Sequence, residues 1–469
     1  MIGITAFGTY VPRYRISSEQ FGVVWGKRAS GQRAVANYDQ DTVTMAAEAV
    51  LNCLEGRQPS MIDGLYFAST TAPYAEKQNA ALVAAVADLS RESISADFAG
   101  SLRAGTTAIR SAVDAVRAGT ARQVLVAVAD CRLGMPGSDD EHILGDAAAA
   151  MLIGSENVLA ELKGSYSVTE QFLDVWRKQD DCFINSGDQR FIQLYGYERY
   201  LPEAIEGLIK KCGVKKEDVA EVVFYAPNPR QFKELTKKLS LAQKTYNSLN
   251  LLESVGNTGC ASPLLALAGA LERARPGDKI IVAGYGDGAD ALLFEATEEI
   301  RSVKPQLAAQ IANGRMLPSY GRYLQFRNLV NQEKIPRYTS EMLLWREQKA
   351  DLALYGQKCG RCGAVQYPPR LVCWNCGMKG DFGNYRISRK GTVVTFTKDS
   401  LIPTPDPPVI MVVADLEGGG RIYAQLTDCD PGIVKIGMKV ELTFRKYHEG
   451  GGFNNYFWKF RPVSAGEEV

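Results

Sequence analysis

Apolar runs of strand length recur along the first 300 residues, at 3–7, 64–68, 124–129, 148–153, 222–225, 280–283 and 292–294. Between them, apolar positions fall at helical spacing over 43–55, 79–88, 104–118, 201–211, 230–239 and 263–273. Continuous apolar strands alternating with helices predict an α/β fold around a mostly buried sheet. The stretch from Ser95 to Ala115 condenses this pattern. A short strand ends at Phe98, a small-residue turn follows at Ala99, Gly100 and Ser101, and a helix begins. Ala104, Thr107, Ala108, Ser111, Ala112 and Ala115 keep that helix thin enough for close packing. Such a junction aims backbone N–H groups and the helix dipole at one spot.

The pattern also repeats. MIDGLYFAST (61–70) and VAEVVFYAPN (219–228) are both strands preceded by an acidic turn. ARQVLVAVAD (121–130) and GDKIIVAGYG (277–286) follow them at nearly the same distance, with a small-residue helix in between each time. The body therefore reads as a duplicated α/β unit, 1–157 and 158–300, with two matching strand–helix junctions. Residues 301–350 turn polar and basic, with two short helical patterns and no strand signal, as in a linker with a docking helix. Cys359 and Cys362, then Cys373 and Cys376, form two CxxC knuckles over 351–384. Four thiolates at that spacing suit a tetrahedral structural Zn²⁺, and a rubredoxin-like iron centre takes the same ligands. From 385 to 469, five short alternating strands predict a small OB-type barrel.

Charge and composition narrow the picture little. The net charge is +1, but from Arg301 onward 24 Lys and Arg stand against 15 Asp and Glu. A basic C-terminal third on an acidic body fits an anionic ligand or a solvated surface equally well. No apolar run has membrane-spanning length, the first residues read as a strand rather than a leader, and ten cysteines without secretory signals point to a reducing, cytoplasmic setting. Tyr456, Phe457, Trp458 and Phe460 sit along one barrel strand as nucleic-acid stacking platforms do, but no dense basic run accompanies them, so nucleic acid is disfavoured.

Residues 1–300 resemble the archaeal-type 3-hydroxy-3-methylglutaryl-CoA synthase branch of the thiolase superfamily. The matching pieces are GTYVPRYRI, NYDQDTVTMAAEA, APYAEK, RAGTTA, PGS followed by Glu141, Tyr225-Ala-Pro-Asn228, VGNTG and GYGDGADA. Residues 316–469 resemble the DUF35 module of helical lead-in, zinc ribbon and OB-fold, usually a separate subunit of a thiolase or synthase. The resemblance implies a thiolase fold, a duplicated five-layered αβαβα, and coenzyme A as cofactor beside the zinc. It also implies a homodimer in which the second module packs over the body.

The family's catalytic residues do not carry over. Its nucleophilic cysteine falls on Leu102, its general-base glutamate on Thr70 and its histidine on Tyr225, and only Asn257 is kept. Leucine cannot be acylated, and the whole sequence has two histidines, His142 and His448. Two functions stay open. In one, the thiolate of CoA attacks a bound β-keto carbonyl directly and a retro-Claisen cleavage (or its reverse) gives an acyl-CoA, with Tyr225 donating to the oxyanion and Asn257 orienting the enolate. In the other, the chain is a silent CoA-binding subunit for a partner thiolase. Cys260, at the second junction, is either a replacement nucleophile or a buried thiol. The resemblance places Arg230, Lys233 and Lys237 against the CoA phosphates. It places Asp188 and Arg190 in a substrate-lining segment. Phe191, Tyr195 and Tyr197 suit an aromatic acyl pocket or simple core packing. His142 reads as a surface or interface residue, or as a proton carrier.

Overall fold

Every residue of Val124–Asp130 and of Ala147–Gly154 is buried, as expected of strands covered on both faces. The computed structural model describes residues 1–26, 31–241, 244–331 and 337–463. Nine of its strands form one sheet. In chain order they are β1 (Gly3–Tyr10), β2 (Gly64–Ala68), β3 (Ile94–Phe98), β4 (Val124–Asp130), β5 (Ala147–Gly154), β6 (Ala160–Thr169), β7 (Val219–Phe224), β8 (Lys279–Tyr285) and β9 (Gly288–Ala296). They lie side by side as β7-β8-β9-β6-β1-β5-β4-β2-β3. All seven expected strands are present. β6 was missed because AELKGSYSVT carries polar residues on one face and never forms a continuous apolar run.

The duplication is plain in the pairing. β2 runs parallel to β4, and β4 antiparallel to β5; likewise β7 runs parallel to β8, and β8 antiparallel to β9. β1 and β6 join the halves antiparallel. Helices α1 (Thr42–Cys53) and α3 (Glu198–Cys212) cover the outer faces, the first on β1, β4 and β5 and the second on β6, β8 and β9. Between the sheet halves, α2 (Ala104–Arg117) packs on α5 (Ser262–Leu271), and each touches strands of both halves. α5 reads SPLLALAGAL and is buried on all sides except at Ser262, as a helix hydrophobic all round must be. Gly105 makes the close crossing possible, since a Cβ there would stand 3.0 Å from the Cys260 carbonyl. The result is the five-layered αβαβα thiolase arrangement.

Two compact units result, Met1–Ala36 with Asp41–Tyr323, and Asn37–Gln40 with Leu324–Val469. In the first, Arg315–Met316 pairs parallel with Tyr14–Ser17, a correction to the strandless reading of 301–350. A two-residue strand has no periodicity to detect. Part of that stretch, 332–336, and the barrel end, 464–469, lie outside the described residues. In the second unit, Tyr355–Cys359 pairs with Val365–Gln366 and Phe382–Arg386 around the four cysteines. Strands β10 (Lys390–Asp399), β11 (Val409–Leu416), β12 (Arg421–Leu426), β13 (Lys439–Gly450) and β14 (Phe453–Pro462) close a barrel in the order β10-β11-β12-β14-β13. Tyr456, Trp458 and Phe460 fill its interior, with Phe444 stacked on Tyr456 at 5.6 Å, so they are core and not stacking platforms. Buried Asp39 holds Arg445 at 3.1 Å and Lys459 at 2.9 Å within this unit. Among the described residues, no helix is long and apolar enough to cross a membrane.

Candidate active site

The carboxyl ends of β2, β4, β7 and β8 lie near the starts of α2 and α5, the first entered from β3 and the second, in correction of the expected strand–helix junction, from the helix Tyr246–Ser254; ligand sites in α/β sheets lie outside strand carboxyl ends. At the first junction, Ser101 Oγ donates to the Gly286 carbonyl at 3.1 Å, which pins the turn to the loop after β8. Leu102 follows, 9% exposed, in an apolar cluster with Tyr197, Tyr225 and Tyr285. An aliphatic side chain therefore stands at the head of α2. The hydroxyls of Thr106 and Thr107 both donate to one Asp290 oxygen at 3.1 Å, and Arg103 reaches its other oxygen at 3.4 Å.

At the second junction the groups are polar and mutually satisfied. Asn257 Oδ1 accepts from the Gly259 N–H at 2.9 Å, and its Nδ2 donates to Tyr225 Oη and to the Pro227 carbonyl, each at 3.1 Å. Both amide hydrogens are therefore engaged within the protein, one of them on Tyr225. Arg132 stands close enough to Tyr225 to draw its pKa down. A phenol oxygen that accepts from Asn257 turns its own proton away from that amide. Burial pushes its pKa further up, against the opposing pull of Arg132, so it keeps that proton at neutral pH.

Thr70 does not point a base at this place. Its N–H and Oγ1 both donate to Asp130, at 2.7 and 3.0 Å. Asp130, fully buried at the end of β4, also accepts from Ser69 Oγ, Thr71 Oγ1 and the Cys260 N–H, so one carboxylate ties the loop after β2 to the second junction. Gly259 has φ +59°, and a Cβ there would strike Asp130, so this turn requires glycine. Cys260 itself is buried, with Sγ 3.7 Å from the Ala68 carbonyl. Burial, then neighbouring Asp130, drives its thiol well above the ordinary range, the opposite of what a nucleophile needs.

Three site groups escaped the sequence reading: Arg132, Tyr285 and Asp174. Tyr285 stacks on Tyr225 with ring centroids 6.2 Å apart and meets Tyr197 edge-on at 5.5 Å. Burial, then the charge of nearby Asp174, raises the Tyr285 phenol. The available signal was position, since Arg132 follows β4 and Tyr285 ends β8. Asp174 precedes a two-residue strand and gave no signal at all.

The surface placement expected of His142 needs correction. His142 is buried against the Phe21 ring at 4.7 Å, and its carbonyl accepts from Arg33. Neighbouring Glu141 is buried too, accepting from the Gly137 N–H at 2.7 Å and Tyr320 Oη at 2.8 Å. On α4 (Pro229–Lys238), Arg230 pairs with Glu234 at 3.0 Å and Lys233 with Glu253 at 3.4 Å, while Lys237 is exposed. Exposed pairs of this kind contribute about 0–1 kcal/mol, so a phosphate can displace them. Asp188 caps a helical turn by accepting from the Phe191 N–H at 2.7 Å, and Arg190 is exposed. Phe191 and Tyr195 are about half exposed, at 49% and 56%, whereas Tyr197 is core.

In the second unit, Cys359, Cys362, Cys373 and Cys376 gather with all sulfurs within 4.8 Å of one another. The Cys359–Cys376 and Cys362–Cys373 separations are 3.7 and 3.6 Å. A tetrahedron with Zn–S bonds of about 2.3 Å has edges of about 3.8 Å, so the four thiolates fit a zinc ion with no open coordination position. Such a site is structural, holding the ribbon together rather than activating water.

Comparison with known proteins agrees with this layout. Residues 209–294 match the family described as 3-oxoacyl-[acyl-carrier-protein (ACP)] synthase III C terminal. Residues 346–379 match the ChsH2 rubredoxin-like zinc ribbon domain, and 385–445 the ChsH2 C-terminal OB-fold domain. The hydroxymethylglutaryl-CoA synthase of Methanopyrus kandleri is 32% identical over 340 residues, 70% of this chain and 97% of that protein. That of Methanocaldococcus jannaschii is 32% identical over 345 residues, 70% and 99% of the two chains. Among solved structures, an HMG-CoA synthase complexed with CoA matches with TM-score 0.64 at 20% identity, over 72% of this chain and 95% of its own. The 3-oxoacyl-[acyl-carrier-protein] synthase III of Aquifex aeolicus matches with TM-score 0.57 at 20% identity, over 63% and 100%. The structural likenesses show the shared fold, and the sequence identity across nearly the whole of the relatives shows more: the chain belongs to the hydroxymethylglutaryl-CoA synthase family.

Proposed function

We propose that this chain is a CoA-dependent acyltransferase that cleaves a β-keto substrate, or forms it in reverse, by direct attack of the CoA thiolate. No acyl group is carried on the protein. The observation that supports this most is Leu102 at the head of α2, in one apolar cluster with a Tyr225 that accepts from Asn257 and is assigned here to donate to the developing oxyanion. In this reading the thiolate adds to the ketone carbon, Tyr225 holds the resulting alkoxide, and the carbonyl re-forms as the C–C bond breaks. One donated hydrogen bond of this kind is worth about 10²–10³ in rate. Arg230, Lys233 and Lys237 are the proposed contacts of the CoA phosphates. The outer edge of β3 has no strand partner among the described residues, and a second copy is proposed to pair there.

The test is to incubate the purified zinc-loaded chain with CoA and a panel of β-keto acids, β-diketones and β-ketoacyl-CoAs, following acyl-CoA and intact protein by mass spectrometry. Turnover without any mass added to the protein is the expected result. A stable acyl adduct sinks the mechanism. CoA binding without turnover favours a silent subunit that serves a partner thiolase.

A further inference from the structure

The proposed cleavage brings two molecules together, and only CoA has a handle assigned so far, its phosphates. A β-keto partner without CoA offers mainly a carbon skeleton to hold.

A surface of matching chemistry adjoins the apolar cluster of the site. Phe172 packs against the cluster that contains Leu102, Tyr225 and Tyr285. A Cβ on Gly196, in the π-helical turn Ile192–Tyr197, would stand 2.5 Å from the Phe172 ring and 2.5 Å from Tyr285 Oη, so both rings lie against this one glycine. Phe172 also stacks on Phe191, with ring centroids 5.2 Å apart and planes inclined by 18°, and Phe191 meets Tyr195 at 5.3 Å. Rings in contact thus run from the cluster to the surface. Phe191 and Tyr195 are about half exposed there, and Leu194 on the same turn is exposed as well.

The surroundings tie this face to the site on two sides. A small hairpin, Val175–Trp176 paired with Asn185–Ser186, is fastened to the loops after β2 and β4. Arg177 donates to the Thr70 carbonyl and the Ile184 N–H to the Leu133 carbonyl, each at 2.9 Å. At the hairpin's base, a Cβ on Gly187 would lie 3.6 Å from the Leu173 carbonyl and 3.7 Å from Ile192, which brings exposed Leu173 beside the π turn. On the other side, Gln193 Nε2 donates at 2.6 Å to Glu234 of α4, the carboxylate that pairs with Arg230. Size decides what covers the face. Four exposed apolar side chains fall far short of the roughly 20–30 residues a side of a stable protein interface. Half-exposed rings, already stacked and tilted among themselves, suit one further flat ring.

We propose that Phe191 and Tyr195, flanked by Leu173 and Leu194, seat an aromatic ring of the β-keto substrate, and the inference rests on the direct-thiolysis reading above. The substrate class is then an aryl-bearing β-keto compound. The ring makes and breaks no bond; it anchors the end of the substrate remote from the carbonyl that CoA attacks.

Calorimetric titration of the full zinc-loaded chain, without CoA, tests the seat. The probes are 1-phenylbutane-1,3-dione and pentane-2,4-dione, which differ by phenyl for methyl. The phenyl dione is expected to bind about 10–100-fold more tightly. F191A and Y195A are each expected to weaken it about fivefold or more, with pentane-2,4-dione binding and the melting temperature unchanged, and F191W to recover the loss. Affinities of the two diones within about threefold of each other, or a phenyl preference that survives the F191A/Y195A double variant, overturn the seat. Self-association of the chain that F191D abolishes overturns it too, because a second copy would then cover the face. Failure of the parent reading looks different. Ring preference with no acyl-CoA formed from either dione and CoA removes thiolysis and leaves the seat, whereas acyl-CoA formation without ring preference removes the seat alone.

Discussion

The starts of α2 and α5 occupy matching places and are filled oppositely. Each lies in the chain between the two strands of a parallel pair, β2 and β4 or β7 and β8, although α2 is entered from β3 and α5 from the helix Tyr246–Ser254. At the first, Leu102 belongs to an apolar cluster that includes Tyr197, Tyr225 and Tyr285. At the second, Asn257, Gly259 and Cys260 sit in a closed hydrogen-bond net anchored on Asp130. Reactivity and architecture are therefore separable here. In the proposed mechanism one aliphatic side chain closes the covalent route, while the groups assigned to the carbonyl stay ordered by the opposite half.

The largest blow to this contrast is removal of its anchor. D130A leaves the hydroxyls of Ser69, Thr70 and Thr71 and the N–H groups of Thr70 and Cys260 without their acceptor. Buried donors left unpaired cost about 1–3 kcal/mol each, partly recovered by relaxation or water. A loss of about 3 kcal/mol or more in denaturant unfolding is expected, with the change confined to the transition of the first unit. A variant as stable as wild type removes Asp130 as the anchor.

Next in size is the donor itself. Y225F is expected to lower the rate of CoA-dependent cleavage by about 10²–10³-fold with CoA affinity kept. N257A, assigned here to act through Tyr225, is expected to cost less, about tenfold, since it removes one hydrogen bond that orients the phenol and leaves the phenol itself. If N257A were the more damaging in kcat while melting unchanged, Asn257 would be touching the substrate and the order of roles proposed here would reverse.

What was legible tracks how locally each feature is written. Strands β4, β5, β7 and β8 are continuous apolar runs, α5 is apolar all round, and two CxxC knuckles state a metal site in eight positions, so fold and zinc site were readable. The family motifs RAGTTA and VGNTG place Leu102 and Asn257 from the sequence alone. The partners were not readable. That Thr70 and Cys260 both belong to Asp130 and that Tyr225 receives Asn257 are contacts across 32 to 130 positions of chain, set by the sheet order. The barrel strand misled for a related reason. Trp458 and Phe460 alternate in sequence whether the alternate face looks inward or outward, and closure of β14 against β12 and β13 turns them in.

The smallest expected effects concern sulfur, and they sharpen the comparison most. C260A is expected to change turnover by less than about threefold and stability by about 1 kcal/mol, because the thiol only fills space. Its thiol pKa is raised, so the thiolate is scarce below that pKa, and iodoacetamide at neutral pH is expected to leave Cys260 of the folded chain unmodified. L102C puts sulfur back at the first junction without restoring a base. The nearest polar groups are phenols that hold their protons, and burial among them disfavours a thiolate. Intact mass after acetyl-CoA should therefore show no adduct on L102C, and its turnover should stay near that of wild type. Acylation of L102C would mean that the junction still activates a thiol through a group outside this account, and that the leucine alone keeps the covalent route closed.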